Sequence, residues 1–229
     1  AALMNDHGWT FVNDTEFCCT ASNSLPTLAG TYTSSAATTD VEGITHFCSS
    51  TGDLLLSIDL QGAEVPNDGV SIQIGSTSAE FHSVGTGFIT NPDGVVAFNR
   101  TWAVDADVQP TGNAVVRHYF TQDEYEAVND ELNLQNLTPL ITQEQLWFYK
   151  HTFANHASIS DIPTADVLTN GSIATTLNWV LGSHGTVDHY AEYAVSSFSG
   201  GGGGGASGGA SALPVELINF QAKPNENNI

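Results

Sequence analysis

The sequence has almost no positive charge. Its 229 residues include 25 aspartates and glutamates but only four lysines and arginines, so the formal net charge is −21 at pH 7. Such a surface repels the phosphates of nucleic acids and the headgroups of anionic lipids. The composition therefore excludes nucleic acid and anionic lipid surfaces as partners.

Long hydrophobic runs are also missing. No segment approaches the roughly 20 apolar residues that a membrane-spanning helix needs, so we expect no membrane insertion. No signal peptide is visible, and the chain opens at Ala1 rather than at a methionine. We therefore interpret the sequence as a processed or truncated piece of a longer precursor.

Cysteine is scarce, with Cys18, Cys19 and Cys48 only. None of them belongs to a Cys-x-x-Cys pattern, so the cysteines do not predict a zinc site. In an exported protein, we expect a disulfide between Cys48 and either Cys18 or Cys19, with the odd cysteine free or linked to another chain. The alternative is three reduced, buried cysteines.

Catalytic signatures are lacking as well. The sequence contains no nucleophile elbow, phosphate loop or zincin helix, so we expect no enzymatic activity and no bound cofactor. The weak metal candidate is calcium at Asp105 and Asp107, which share one side of an extended segment just ahead of a turn. The alternative is that two acids lie close together by chance in an acid-rich chain.

The few large aromatic and cationic residues allow two interpretations each. The tryptophans could form a platform for stacking sugars, but Trp102 and Trp147 fall within alternating apolar segments, which favours core packing. Arg100 and Arg117 fall on predicted strands among abundant carboxylates. We expect them to form structural ion pairs rather than to hold a substrate.

Alternation of apolar and polar residues dominates the middle of the chain. Short alternating runs separated by turn residues predict an all-β fold, an antiparallel β-sandwich with one or two short helices. Capping-box patterns at 121–124 and 142–145 mark the two helix starts. The predicted core consists of Leu54, Leu56, Ile58, Ile72, Ile74, Trp102, Val116, Phe120, Phe148 and Tyr193.

The end of the chain has a different composition. Six consecutive glycines at 200–205 predict a flexible linker over residues 199–212. The sandwich is therefore expected at 25–198, after an N-terminal segment at 1–24 that is either its first strand or the remnant of a preceding domain. An apolar C-terminal strand is predicted within 213–229, and its candidate assembly residues are Val215, Leu217, Ile218 and Phe220.

Several segments together resemble a known family. They are residues 42–47, 53–58, 115–121, 146–150 and 189–200, and the segment 213–220 that follows the glycines. This set resembles the β-sandwich modules of Bacteroidota surface proteins exported by the type IX secretion system, in the region before a C-terminal sorting domain. The resemblance implies an extracellular, cell-surface location and contact with the secretion machinery. It implies no catalytic residues.

The leading functional hypothesis is a non-catalytic extracellular domain of a surface appendage, adhesin or filament. Its partners would be other copies of itself or neighbouring domains of a larger surface protein. The alternative hypothesis is a carbohydrate-binding accessory domain of a secreted hydrolase. Charge bears on the first hypothesis: if all eight histidines were protonated, the formal charge would change from −21 to −13, which would ease repulsion between copies.

Overall fold

The structure is a computed structural model that describes residues 24–64, 69–82, 94–152, 156, 174–184 and 188–206. Two of the predicted regions, most of the N-terminal segment and the C-terminal strand, lie outside these residues. The described residues form eleven strands, one α-helix and one 3₁₀ turn.

The strands follow one another with a single α-helix among them. They are β1 (Gly30–Thr39), β2 (Ile44–Ser49), β3 (Leu54–Asp59), β4 (Val70–His82), β5 (Val95–Val104), β6 (Ala114–Thr121), β7 (Trp147–His151), β8 (Ala174–Thr176), β9 (Trp179–His184), β10 (Asp188–Val195) and β11 (Gly200–Ala206). The helix α1 (Gln122–Leu134) follows β6, and the 3₁₀ turn Gln143–Gln145 precedes β7.

The strands join into one sheet whose order is β8-β7-β11-β5-β4-β1-β2-β3-β6-β10-β9, and each neighbouring pair is antiparallel. The sheet folds over at β1 into two layers. The first layer contains β8, β7, β11, β5, β4 and the start of β1, and the second contains the rest of β1, β2, β3, β6, β10 and β9. The first part of β1 pairs with β4, whereas the part from Ser34 onward pairs with β2. A break in the register between Ser34 and Ala36 lets the strand pass from one layer to the other.

The two layers pack face to face through aromatic side chains. The ring centroids of Phe98 and Phe120, one from each layer, are 5.5 Å apart. On the side away from β1, only two residues separate β8 from β9, and the indole N–H of Trp179 in β9 donates to the carbonyl oxygen of Leu146 at 3.1 Å. The layers are thus nearly closed on both sides, and the predicted antiparallel β-sandwich is confirmed.

The alternating pattern identified the core correctly. Each residue of the predicted core is at most 7% exposed, and most are completely buried. Apolar residues at every second position of a strand share one face, and nine of the ten predicted residues lie in the central core. Leu54 instead packs in a separate buried cluster with Cys48 and Tyr119, because the register of β2 and β3 shifts between Phe47 and Cys48.

The predicted helix starts are also confirmed. At the start of α1 the Glu124 amide donates to the Thr121 hydroxyl at 3.1 Å, and the Thr121 amide donates to the Glu124 carboxylate at 2.8 Å. The second start yields only the 3₁₀ turn. Within the described part of the chain, no helix has the length and hydropathy needed to cross a membrane.

The predicted linker is wrong for residues 200–206. These residues form β11, which lies inside the first layer and pairs with β5 on one side and β7 on the other. The sandwich therefore extends past residue 198, to Ala206 at least. The composition was misleading because glycine usually costs about 0.5–1 kcal/mol relative to alanine inside a strand. Here every residue of the strand is buried and the strand is paired on both sides, which offsets that cost.

Candidate functional site

The glycine strand β11 is the most unusual site in the molecule, because its neighbours leave no room for side chains. A Cβ atom built on Gly203 would lie 2.5 Å from the Phe148 ring, and one on Gly205 would lie 2.8 Å from a methyl group of Val128. On the opposite face, a Cβ atom on Gly202 would lie 2.8 Å from the Tyr149 hydroxyl. Such distances are too short for real Cβ atoms, so both faces of the strand require glycine.

Residues at the two ends of β11 fix its position. On the N-terminal side, Phe198 is 5% exposed and its amide donates to the Gln109 side chain at 2.6 Å. The Ser199 carbonyl oxygen accepts from the Val104 amide at 2.6 Å. At the other end Ala206 is 1% exposed and pairs with Val95. The glycines between them are identical, so their side chains cannot set the register.

A polar cluster lies on the outer face of the second layer, apart from the glycine strand. His46, Ser57 and Arg117 lie side by side on β2, β3 and β6. The Ser57 hydroxyl is 2.7 Å from His46 Nδ1 and 2.7 Å from the Tyr119 hydroxyl, and His46 Nε2 is 3.2 Å from an Asp40 carboxylate oxygen. Sequence reasoning missed this cluster, because only the strand register brings residues so far apart in the chain together.

These residue types are those of a serine–histidine–aspartate triad, but the arrangement is not accessible to a substrate. Ser57 is completely buried and Tyr119 is 2% exposed. Burial raises the pKa of Tyr119 to about 12, so its hydroxyl stays protonated at neutral pH. Burial opposes ionisation of Asp40, but hydrogen bonds from the Ile44 and Glu42 amides and from His46 outweigh it and lower its pKa. The cluster therefore links three strands through hydrogen bonds.

The core contains a buried ion pair. Arg100 Nε donates to both carboxylate oxygens of Glu124, at 2.8 and 3.0 Å, and its Nη2 donates to the Pro26 carbonyl oxygen at 2.6 Å. Arg117 forms a cross-strand pair with Glu192 at 2.8 Å. The expectation that both arginines form structural ion pairs is confirmed.

The described cations all make internal contacts. Lys150, the third of them, donates to the Ser197 hydroxyl at 3.2 Å, and burial lowers its pKa. The fourth cationic residue, Lys223, lies outside the described residues. The described part of the surface therefore presents acidic side chains with no cluster of basic ones.

Not all histidines can contribute to charge neutralisation near pH 5.5. His118 lies in the core, where burial, and next the charge of Arg100, lower its pKa to about 3. Burial also lowers the pKa of His156, which contacts the hydroxyls of Ser71 and Thr101. The change from −21 to −13 is therefore too large, because His118 stays neutral.

Among the described residues, the structure brings no further histidine, cysteine or acidic side chain to the predicted calcium residues. Asp105 and Asp107 are exposed just after β5. Among the described residues, no three histidine, cysteine, aspartate or glutamate side chains come together as metal ligands. The two aspartates thus have no third such ligand in that part of the chain.

Most of the other predicted site residues lie outside the described residues. Cys48 is completely buried in β2, but Cys18 and Cys19 lie outside the described residues, so the disulfide stays a prediction. The predicted assembly residues, Val215, Leu217, Ile218 and Phe220, also lie outside them.

The described tryptophans do not form an exposed platform. Trp102 is completely buried and Trp147 is 3% exposed. Trp179 packs against Phe148 with ring centroids 4.9 Å apart. Trp9 lies outside the described residues. Core packing, the favoured interpretation for Trp102 and Trp147, is confirmed.

Two adjoining hollows lie along β4 near α1. Their volumes are about 550 and 310 Å³, and they share Gly75, Ser76 and Thr77. Acidic side chains, including Glu80, Asp123 and Glu131, line them, and neither lining contains a histidine or cysteine. The hollows therefore lack any nucleophile–base pair that contains a histidine or a cysteine.

No protein-family model matches this chain, and neither a curated protein nor a solved structure matches it. The assignment of function therefore depends on the geometry of the chain itself.

Proposed function

We propose that this chain is a non-catalytic extracellular structural domain of a surface appendage, adhesin or filament, which assembles with other copies or with neighbouring domains. The glycine strand carries the proposal. Because β11 is fixed inside the sheet, the described part of the chain ends at a defined point, Ala206. Only residues 207–212 then separate this point from the apolar segment 213–220.

This geometry shortens the reach of the C-terminal segment. A Gly/Ser-rich segment of six residues spans roughly 13 Å on average, compared with roughly 20 Å for a segment of thirteen. The segment 213–220 has apolar residues on both faces, and an unpaired strand of this kind is an aggregation hazard unless another surface covers it. A sandwich that delivers such a segment from a fixed exit point is suited to contact with a neighbouring domain.

The remaining observations support a structural role over catalysis. The one serine–histidine–aspartate cluster of the described residues has no exposed hydroxyl. The described tryptophans are occupied in packing, so they do not favour the carbohydrate-binding alternative. The proposed extracellular location includes two further points. The chain is secreted by the type IX system, and a disulfide joins Cys48 to Cys18 or Cys19.

Deletion of residues 213–229 tests the proposal, because it removes the apolar segment and leaves every described element in place. We expect the full chain to associate more strongly as salt screens its net charge, and to a smaller extent between about pH 8 and 5.5. The deleted chain should stay monomeric with an unchanged melting temperature. Sedimentation velocity over a salt series and a pH series measures the association, and thermal unfolding measures the melting temperature. A full chain that stays monomeric throughout, or a deleted chain that associates equally, would contradict the proposal.

A further inference from the structure

We propose that β11 is exchanged between copies, so that residues 200–206 of one molecule occupy the gap between β5 and β7 of another. The inference depends on the proposed assembly function and names its partner, a second copy of this chain. It adds to docking of the segment 213–220, because the glycine strand that precedes this segment moves to the neighbouring copy with it. An exchanged β11 makes only the contacts that it makes in its own copy, so association still needs the docked segment and a chain without residues 213–229 stays monomeric.

The first argument is the way in which β11 is held. It pairs with both β5 and β7, but six of its seven residues have no side chain. Its attachment therefore consists mainly of backbone hydrogen bonds, which a glycine strand from any copy would make equally well. Glycine-rich strands specify their register weakly and are prone to slippage and swapping.

The second argument is topological. β11 is the last described strand, and only four residues, 196–199, connect it to β10 in the other layer. If β11 leaves the gap, β10 keeps its neighbours β6 and β9. β5 and β7 lose their pairing partner and Val128 of α1 loses its packing against Gly205, and the β11 of another copy restores the same contacts. Exchange of an identical element is a low-cost route to assembly for this reason.

The third argument identifies the occupant. A Cβ atom at Gly201 would lie 2.1 Å from the Tyr149 carbonyl oxygen, and one at Gly204 would lie 2.1 Å from the Val96 carbonyl oxygen. The gap therefore rejects extended peptides that carry side chains at these positions. A buried aromatic residue before the glycines and a buried alanine after them, Phe198 and Ala206, complete the fit. A second copy supplies this whole sequence.

A cross-linking experiment tests the exchange, using the full chain with its native cysteines. Val95 and Ala206 are directly paired, so the double variant Val95→Cys with Ala206→Cys can form a disulfide across β5 and β11. After oxidation, monomeric and associated fractions are separated and run on non-reducing denaturing gels. We expect the monomeric fraction to run as single chains and the associated fraction to run as covalent dimers and longer species.

The matched control is Asp59→Cys with Val115→Cys, a directly paired couple on β3 and β6. These strands do not exchange, so in both fractions the control should form no more covalent dimer than the unsubstituted chain, whose odd native cysteine sets the background. If the associated fraction of the Val95/Ala206 variant also runs as single chains, exchange is wrong while assembly stands. If no associated fraction exists, the proposed function is wrong as well.

Mixing the two single variants provides a second measurement if the double variant fails to fold. A covalent dimer between a Val95→Cys chain and an Ala206→Cys chain forms only when β11 of one copy lies beside β5 of the other. We expect this dimer in the associated mixture and not in a mixture of unsubstituted chains. Its absence from an associated mixture would overturn the exchange.

Discussion

Replacing Gly201 with alanine is expected to lower the free energy of unfolding by about 3 kcal/mol or more, a large fraction of the roughly 5–15 kcal/mol that stabilises a typical domain. The added Cβ atom would lie 2.1 Å from the Tyr149 carbonyl oxygen and 2.9 Å from the Trp102 indole nitrogen. Backbone on one side and a completely buried ring on the other leave no flexible side chain that could move away.

Gly112→Ala is the matched control for this variant. Gly112 has an ordinary backbone conformation, and a Cβ atom there would meet only the Gln61 side chain, at 3.7 Å. We expect its free energy of unfolding to stay within about 0.5 kcal/mol of the parent in urea denaturation. A flexible linker at residues 200–205 would instead make the two alanine variants equally stable.

The substitution Arg100→Met is expected to lower the free energy of unfolding by about 3–5 kcal/mol, because it leaves the Glu124 carboxylate in the core without its cation. The two side chains are 1% and 8% exposed, so solvent cannot replace the lost partner. The Pro26 carbonyl oxygen loses its donor as well. Thermal or urea unfolding measures the loss.

Two further variants separate the burial of the charge from the loss of a cation. Arg117→Met removes the arginine of the partly exposed pair with Glu192, and should lower the free energy of unfolding by at most about 1 kcal/mol. The double variant Arg100→Met with Glu124→Gln removes both buried charges, and should be more stable than Arg100→Met alone. Equal losses for Arg100→Met and Arg117→Met would contradict this account of the core.

The sequence predicted the elements whose own side chains encode them. The start of β4 alternates apolar and polar residues, with Val70, Ile72 and Ile74 on one face, and the Thr121–Glu124 pattern is local, so both could be read without knowledge of their neighbours. The glycine strand could not be read in this way. Its burial is caused by side chains such as those of Phe148 and Tyr149, about fifty residues earlier in the chain.

Register explains the other failures of sequence reasoning. The polar cluster around Ser57 forms only because His46 and Ser57 face each other across β2 and β3, with Tyr119 nearby on β6. The passage of β1 between layers and the insertion of β11 between β5 and β7 are likewise properties of pairing. Six identical glycines contain no signal that selects their neighbours.

Hydrogen exchange at the glycine amides tests most directly whether residues 200–206 are an interior strand. An interior antiparallel strand directs its amides alternately to its two neighbours, so protection should extend along the whole tract. In the native full chain, we expect these amides to exchange as slowly as those of the buried strands β3 and β5. Exchange at the rate of an unstructured peptide would contradict the account, and would return the glycines to the status of a linker.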